Sequence, residues 1–503
     1  MNNVVILGYT NFKWLLVPLA KELKKKHGTK IHFVCTDAHS ISYWKTQDRE
    51  GIIDSFTTIG HFFSEYDQCT DEPDKMYRTA RQNEERYQTL MVDILQTDRH
   101  LGRGFFAGGI GHPKSKLSNK ASYPKSINFC NRAFAFWEKV FDEKSPDVIF
   151  GLTSAVLGKT CMAVARKRGI PVREFFQASY QAYHGWASDE FYTLVGFKEA
   201  FADLTDEEAQ RLVTDEELIH LKRLPFADHY YTNFHKYTSW PLFLLHVWQQ
   251  CVWYGLKTYR GRETIGNYFL LEKIRALYRM RKDLKRIMKF IMADIEEVKK
   301  KSFVFIPLQV EPESSVGMQS PEMGEQLACI EFLAKNLPAD TYLVVKEHVP
   351  AIGRRPRDFY ETIAEIPNVL FISPFAYAID VARHARAVAV ITSTLGMEAG
   401  VLGIPVISFG LHNNYNLLPH VHTIESWTAL RPLLKVLFDE NSSDGKKKRQ
   451  ADGRRYLAAL KKVCIDFSWT DYASKDRAPA SDKEVEVIYH SLVQSLKHLN
   501  IKT

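Results

Sequence analysis

The sequence predicts an α/β protein with two Rossmann-like, doubly wound parallel sheets, a helical insertion between them and a closing set of C-terminal helices. Three observations carry this. An apolar strand, an amphipathic helix and a second apolar strand open the chain over residues 4–35. Strand and helix signals alternate strictly over residues 303–409, the pattern of a parallel sheet. Residues 196–300 carry helical signals only. The expected segments are 1–195, 196–300, 301–425 and 426–503.

In the first segment Val4-Val5-Ile6-Leu7 reads as a strand and residues 14–26 as a helix. Lys24, Lys25 and Lys26 crowd its last turn, where cations suit the helix dipole, and Gly28 is the expected stop. Residues 31–35 return as a strand. Asp147-Val148-Ile149-Phe150-Gly151 is a further strand, residues 160–168 a helix, and Gly169-Ile170-Pro171-Val172 leads into the next strand.

In the insertion, Thr205 with Glu208 and Thr214 with Glu217 have capping-box spacing. An aromatic stretch, Trp240 to Tyr254, precedes a basic helix expected over 270–300. The last segments read as strands at 303–308, 342–346, 369–372, 388–392 and 406–409, with helices at 322–336, 359–365, 379–384 and 397–402 between them.

Composition fits this plan. At 503 residues the chain exceeds one ordinary core, and 45% hydrophobic with 25% charged residues is globular rather than disordered. The first apolar run lacks the basic flank and cleavage site of a signal peptide. No apolar run reaches the roughly 20 residues of a membrane-spanning helix. Seven scattered cysteines without a Cys-x-x-Cys pair point to a reducing, cytoplasmic setting and away from a zinc site.

The net charge of +8 is uneven. Residues 257–301 hold fourteen Lys/Arg against six Asp/Glu, an excess equal to that of the whole chain. A local basic stretch implies an anionic partner such as a membrane surface, or else a solvated helix face. The charge is expected to face the inner surface of a membrane, and the aromatics of 240–254 to form the core of the insertion. No nucleic-acid-binding module accompanies the charge, so nucleic acid is not an expected partner.

Three motifs carry candidate chemistry, each at the expected carboxyl end of a strand, where open parallel sheets bind ligands. In the first, Thr392, Ser393 and Thr394 form a hydroxyl-rich turn opening a helix that contains Gly396 and Glu398. Such a turn holds an anion, with Glu398 near enough for ribose hydroxyls; the same residues also serve as simple N-caps. In the second, Lys346 and His348 stand two apart on an extended chain and are expected to face one phosphate. His348, with a pKa near neutrality, is the candidate acid for the leaving group. In the third, Gln309, Glu311 and Ser314 leave a strand as a polar loop.

Taken together, Gln309…Glu313-Ser314, Lys346-Glu347-His348, Pro367-Asn368-Val369, Thr392 to Ala399 and Gly403-Ile404-Pro405-Val406…Phe409-Gly410 resemble the bacterial capsule polysaccharide biosynthesis family, which includes Kdo transferases. Order and spacing match over about residues 303–410. Thr97-Asp98-Arg99 with Gly102-Arg103-Gly104 is similar to an Asp-Arg element of such proteins. The resemblance implies a GT-B fold and sugar transfer from a nucleotide-sugar, CMP-linked in the Kdo branch. By analogy with bacterial sialyltransferases, it implies that His348 and Ser393/Thr394 hold the donor phosphate. Here Val349 stands between His348 and Pro350, where those enzymes have His-Pro adjacent.

A base or nucleophile is also needed, and Asp98, Glu174, His184 and Asp189 are candidates from the first segment. Asp98, Glu174 and His348 are the expected catalytic groups. Arg99, Arg103 and His184 are expected on the acceptor side, with residues 102–111 as a glycine-rich acceptor loop.

The expected activity is metal-independent transfer of a Kdo-like or nonulosonic sugar to a surface-glycan or lipid-linked acceptor in capsule or lipopolysaccharide assembly. No cofactor is expected beyond the donor itself. A nucleotide-sugar 2-epimerase and a non-catalytic, membrane-peripheral adaptor of capsule assembly are the alternatives, since fold alone does not fix function.

Overall fold

The computed structural model describes the chain except residues 9–12, 36–37, 59–65, 67–71, 152–153, 220, 222–238, 260–267, 291–293, 440–442, 470–477 and 498–503. The protein divides into two compact units. One comprises Met1–Thr97, Lys120–Ala200 and Leu460–Thr503, the other Asp98–Asn119 and Phe201–Ala459.

The first unit is built on a seven-stranded sheet. Its strands are β1 (Asn3–Gly8), β2 (Lys30–Cys35), β3 (Ser55–Thr58), β4 (Val148–Phe150), β5 (Val172–Gln177), β6 (Tyr183–Ala187) and a late strand, Ile465–Asp466, in the order Ile465–Asp466, β6, β5, β4, β1, β2, β3. The strands from β3 to β5 are parallel, while β6 and the late strand pair antiparallel. The expected first helix spans Lys13–His27 and ends at Gly28, whose φ of +65° is the left-handed stop. Val4, Ile31 and Phe33 are wholly buried, each worth about 1.5–3 kcal/mol of transfer from water.

The second unit is built on a six-stranded sheet, parallel throughout. Its strands are β7 (Ser302–Pro307), β8 (Thr341–Lys346), β9 (Val369–Ile372), β10 (Ala387–Val390), β11 (Val406–Ser408) and β12 (Val421–Thr423), in the order β12-β11-β10-β7-β8-β9. β7 is thus the central strand. The chain winds outward from it to one side through β8 and β9, then crosses to the other through β10. The crevice between β7 and β10 is the topological switch point, where such sheets take ligands. Two doubly wound α/β sheets, as the sequence predicts, are therefore present.

Both capping boxes form. Thr205 accepts from the Glu208 N–H at 3.2 Å, and Thr214 from that of Glu217 at 3.2 Å, with each glutamate bonding back. The helix expected over 270–300 instead spans Leu270–Ile287, and a short helix, Ile295–Lys299, starts at the Asp294 cap.

The aromatic helix Trp240–Tyr259 corrects an expectation. Of its residues only Phe243 is buried, whereas Trp248 and Trp253 are 62% and 60% exposed. Its apolar residues run around much of its circumference, and it can bury only the side that meets helix Leu270–Ile287. Part of the charge meanwhile turns inward: Arg281 is buried, with its guanidinium 4.2 Å from the centre of the Trp240 ring.

Candidate functional site

The three motifs come together on neighbouring strands. Gln309 follows β7, Lys346 ends β8, and Thr392 and Ser393 follow β10, the two strands flanking β7. Strands pack about 4.8 Å apart, so the ends of β8 and β10 stand roughly 10 Å from each other with the β7 loop between them.

Gln309 ties two of these ends together. Its Nε2 donates to Thr392 Oγ1 at 2.8 Å, and the Thr392 N–H donates to its Oε1 at 3.1 Å. Ser393 caps the helix Thr394–Val401, its Oγ accepting from the Leu395 N–H at 3.3 Å. The capping role read from the sequence is therefore real for Ser393. Its hydroxyl proton is still available to an anion, and the exposed Thr394 stands at the first helical position. Glu398 is half-buried in the same helix. Gly396 serves packing: a Cβ there would lie 2.6 Å from the Tyr415 ring.

At the end of β8 the two basic residues differ. Lys346 is buried and His348 exposed, so the open group is the imidazole. The ring nonetheless lies close enough to the protein to lose part of its hydration. The desolvation this brings, and next the charge of Lys346, lower its pKa to about 4. His348 is thus neutral at pH 7 in the free protein, not poised near neutrality as its ordinary value implied. A bound phosphate dianion would raise it again.

Between Lys346 and His348 lies a charge network that sequence reading did not find. Arg355, 1% exposed, donates through Nε and Nη2 to the two Glu347 oxygens at 2.9 and 3.0 Å, and through Nη1 to Glu311 Oε2 at 2.9 Å. Tyr360 donates to Glu347 at 3.0 Å, and Gln326 donates its N–H to Glu311 at 3.2 Å. One guanidinium faces two buried carboxylates, and the doubly bonded Glu347 has the stronger claim on it. Burial pushes Glu311 up to about 7 against the pull of Arg355. Burial also opposes the charge on Arg355, but Glu347 and then Glu311 hold its pKa above the ordinary value. Glu311, expected to bind the donor, is therefore a structural carboxylate that fixes the β7 loop. Ser314 starts the helix Ser314–Gln319 on that loop.

Residues 98–119 belong to this second unit, not to the first as expected. The glycine-rich stretch is a packed cover rather than a mobile loop. A Cβ on Gly108 would lie 1.6 Å from Glu311 Oε2, and one on Gly111 1.9 Å from the Arg355 carbonyl oxygen. The glycines are there because backbone lies directly against the network. Arg103 donates through Nε to the His112 carbonyl at 2.9 Å and also bonds the Ile110 carbonyl, holding this cover in shape. Arg279 ties Gly111 to Arg355 from helix Leu270–Ile287.

Asp98 is buried, and its Oδ1 accepts from the His100 and Leu101 N–H groups at 2.7 and 3.0 Å. Through that oxygen it caps a turn. Arg99 is exposed, and it hydrogen-bonds Tyr268. Glu313, quoted in the family-like run but given no role, is only half-buried. Burial raises its pKa, while Arg99, Ser315 and Arg354 oppose the rise.

The remaining candidates lie in the first unit. His184 is buried on β6, stacked on Phe175 at 5.2 Å and edge-on to Phe467 at 5.4 Å, with burial lowering its pKa to about 4. It is a core histidine, which corrects its expected place beside an acceptor. Glu174 is buried on β5. Asp189 accepts from the Phe191 and Thr193 N–H groups at 3.0 Å each and shapes a turn.

Asn413 is a further residue that sequence reading missed. Its Nδ2 reaches the Ile391 carbonyl at 2.7 Å and Ser408 Oγ at 3.1 Å, joining the ends of β10 and β11. Its place just after Gly410 in the family-like run was the available signal. A cavity of about 450 Å³ lined by Asp206, Arg383, Leu402, Lys447 and Arg454 lies elsewhere. It opens at the far end of helix Thr394–Val401, about 12 Å from its first residue, and is not this site.

Comparison with known proteins supports the resemblance. Residues 257–456 match the family model of the capsule polysaccharide biosynthesis proteins, a span that includes all three motifs but neither residues 98–111 nor most of helix Trp240–Tyr259. No curated protein matches the chain. Among solved structures, KpsC of Thermosulfurimonas dismutans, a beta-Kdo 2,7-transferase, is 14% identical over 72% of this chain and 89% of its own, with a TM-score of 0.29. MnaA of S. aureus, solved with UDP, is 11% identical over 92% and 95% with a TM-score of 0.29. The UDP-GlcNAc 2-epimerase of Neisseria meningitidis is 11% identical over 98% and 100% with a TM-score of 0.23.

Proposed function

We propose that this chain, whose residues 257–456 carry the sequence of the capsule polysaccharide biosynthesis family, is a glycosyltransferase acting in surface-glycan assembly. Its donor is a nucleotide-sugar, CMP-linked in the reading favoured here, and its acceptor a glycan or a lipid-linked sugar. The observation that carries this is the pairing of Gln309 with Thr392 across the switch point. It fixes the hydroxyl turn of Ser393 and Thr394 at the end of β10, the same end of the parallel sheet at which His348 follows β8.

In this reading the donor phosphate sits between the Ser393–Thr394 turn and His348. The hydroxyls and the start of the helix stabilise the negative charge that grows as the glycosidic bond to phosphate breaks. Lys346 adds a positive charge from beneath. A phosphate beside His348 raises its pKa, so the imidazole takes up a proton as the donor binds and can return it to the departing phosphate. No metal is needed for these steps.

The base is assigned to Glu313. Asp98 is committed to a turn and Glu311 to Arg355, whereas Glu313 keeps an exposed side. Burial raises its pKa, which makes its carboxylate a stronger base than an ordinary glutamate.

Incubation with CMP-Kdo, with and without a glycolipid acceptor, tests the reading. Transfer that needs both substrates, and that Glu313→Gln abolishes, is the expected result. Turnover of a nucleotide-sugar without acceptor would instead indicate the epimerase alternative, and absence of nucleotide binding the adaptor.

A further inference from the structure

Helix Trp240–Tyr259 carries a surface that neither the sheet nor the candidate site uses. Leu245, Trp248, Val252, Leu256 and Tyr259 recur at three- and four-residue spacing and so share one face. All five are exposed, Tyr259 to 89%. The opposite face, centred on Phe243, meets helix Leu270–Ile287. Arg281 of that second helix lies over Trp240. An apolar strip about 21 Å long, from Leu245 to Tyr259 at 1.5 Å per residue, is more than water-facing surfaces ordinarily leave open.

The charges of this helical pair have one sign. Helix Trp240–Tyr259 has a single charged residue, Lys257. On the second helix Arg275, Lys282 and Lys285 are exposed, and Lys289 follows just beyond its end. The two acidic residues there are occupied or hidden: Glu272 accepts from Arg275 at 2.9 Å, and Asp283 is buried. Among the described residues no helix is long and apolar enough to cross a membrane.

We propose that this pair docks the protein on an anionic phospholipid bilayer. Helix Trp240–Tyr259 lies in the plane of the interface, with its tryptophans and leucines among the upper acyl chains. The lysines of the second helix meet the headgroups. Exposed Trp and Leu with cationic residues beside them are the composition of an interfacial helix. A second copy of the chain fits less well, because joining two such pairs would bring like charges together. A polar protein partner would leave the exposed strip unmatched. The proposal stands on the surface alone and needs no sugar transfer, so its failure is distinct from failure of the transferase reading.

Flotation of the full chain with vesicles of phosphatidylcholine, alone or with phosphatidylglycerol, tests it. The protein should float with the phosphatidylglycerol vesicles and far less with pure phosphatidylcholine, and added salt should weaken the binding. The double substitution Trp248→Glu/Leu256→Glu and, separately, Lys282→Glu/Lys285→Glu should each reduce binding at least tenfold. Their thermal melts should match the unsubstituted protein, since all four side chains are exposed. The proposal is overturned if the protein does not bind phosphatidylglycerol vesicles, or if both double variants bind undiminished. It is also overturned if Trp248→Glu/Leu256→Glu breaks a dimer seen by sedimentation while vesicles are ignored.

Discussion

Gln309 and Thr392 are joined by two reciprocal hydrogen bonds, of 2.8 and 3.1 Å, that close the gap between the ends of β7 and β10. The amide uses its donor and its acceptor at once, so it sets the position of Thr392 and, through it, of the Ser393 cap. Neither atom of the pair needs to touch a ligand for the pair to shape the ligand's seat.

Gln309→Ala should therefore weaken nucleotide binding without emptying the site. Losing both bonds costs about 1–3 kcal/mol where the Thr392 N–H is left unpaired. A nucleotide dissociation constant raised roughly tenfold or more is expected, as measured by calorimetry. Unchanged affinity would remove the role assigned to the pair.

Arg355 should prove the most sensitive position of the second unit. Arg355→Met leaves Glu347 and Glu311 buried without their cation, a loss of roughly 3–5 kcal/mol. For a unit of this size that is a fall in melting temperature on the order of 10 °C. Calorimetric scanning should show this fall in the transition of the second unit. A melt within a degree or two of the parent would contradict the network.

Glu311 gives the network a pH signature. Its folded pKa, about 7, lies above its unfolded value near 4.5, so the folded protein holds the extra proton between those limits. Stability from this group is full below pH 4.5 and is lost as pH rises through 7. Glu311→Gln removes the titration. The stability of the parent relative to this variant should fall between pH 4.5 and 7, as read from urea melts across that range. A difference that is flat or rises with pH would show that Glu311 is ionised throughout.

Gly108 tests the cover. A methyl group there meets the Glu311 carboxylate, which Arg355 and Gln326 hold in place. Gly108→Ala should cost roughly 1–3 kcal/mol or more, whereas Gly104→Ala, where a Cβ meets nothing, should be nearly silent. Equal melts for the two variants would mean that the 102–111 stretch does not lie on the network.

The sequence made the strands legible because apolar runs bounded by Gly and Pro have one reading in a parallel sheet. The motif ends after β7, β8 and β10 were legible for the same reason. What it hid was pairing at a distance. Glu311 looks like a ligand group in a linear reading, and only the return of Arg355 between it and Glu347 shows that both carboxylates are spent on one guanidinium. The glycines of 102–111 signalled freedom or closeness equally, and the backbone lying on Arg355 decides for closeness. Asp98 and His184 illustrate the same limit. A carboxylate capping its own turn and an imidazole stacked on Phe175 carry no mark in the sequence that separates them from catalytic groups. The aromatic helix misled because clustered Trp and Leu usually mean a core, and here most of them face outward.

The central claim is that His348 and the Ser393–Thr394 turn hold one phosphate. Titration calorimetry of CMP, CDP, UDP and GDP against the parent and the Ser393→Ala/His348→Ala variant addresses it directly. At least one nucleotide should bind the parent, and the double variant should bind it at least tenfold more weakly while staying folded, its melt lowered only by the roughly 0.5–2 kcal/mol that loss of the Ser393 cap costs. Equal affinity in the two proteins, or no binding of any of the four by the parent, would contradict the claim.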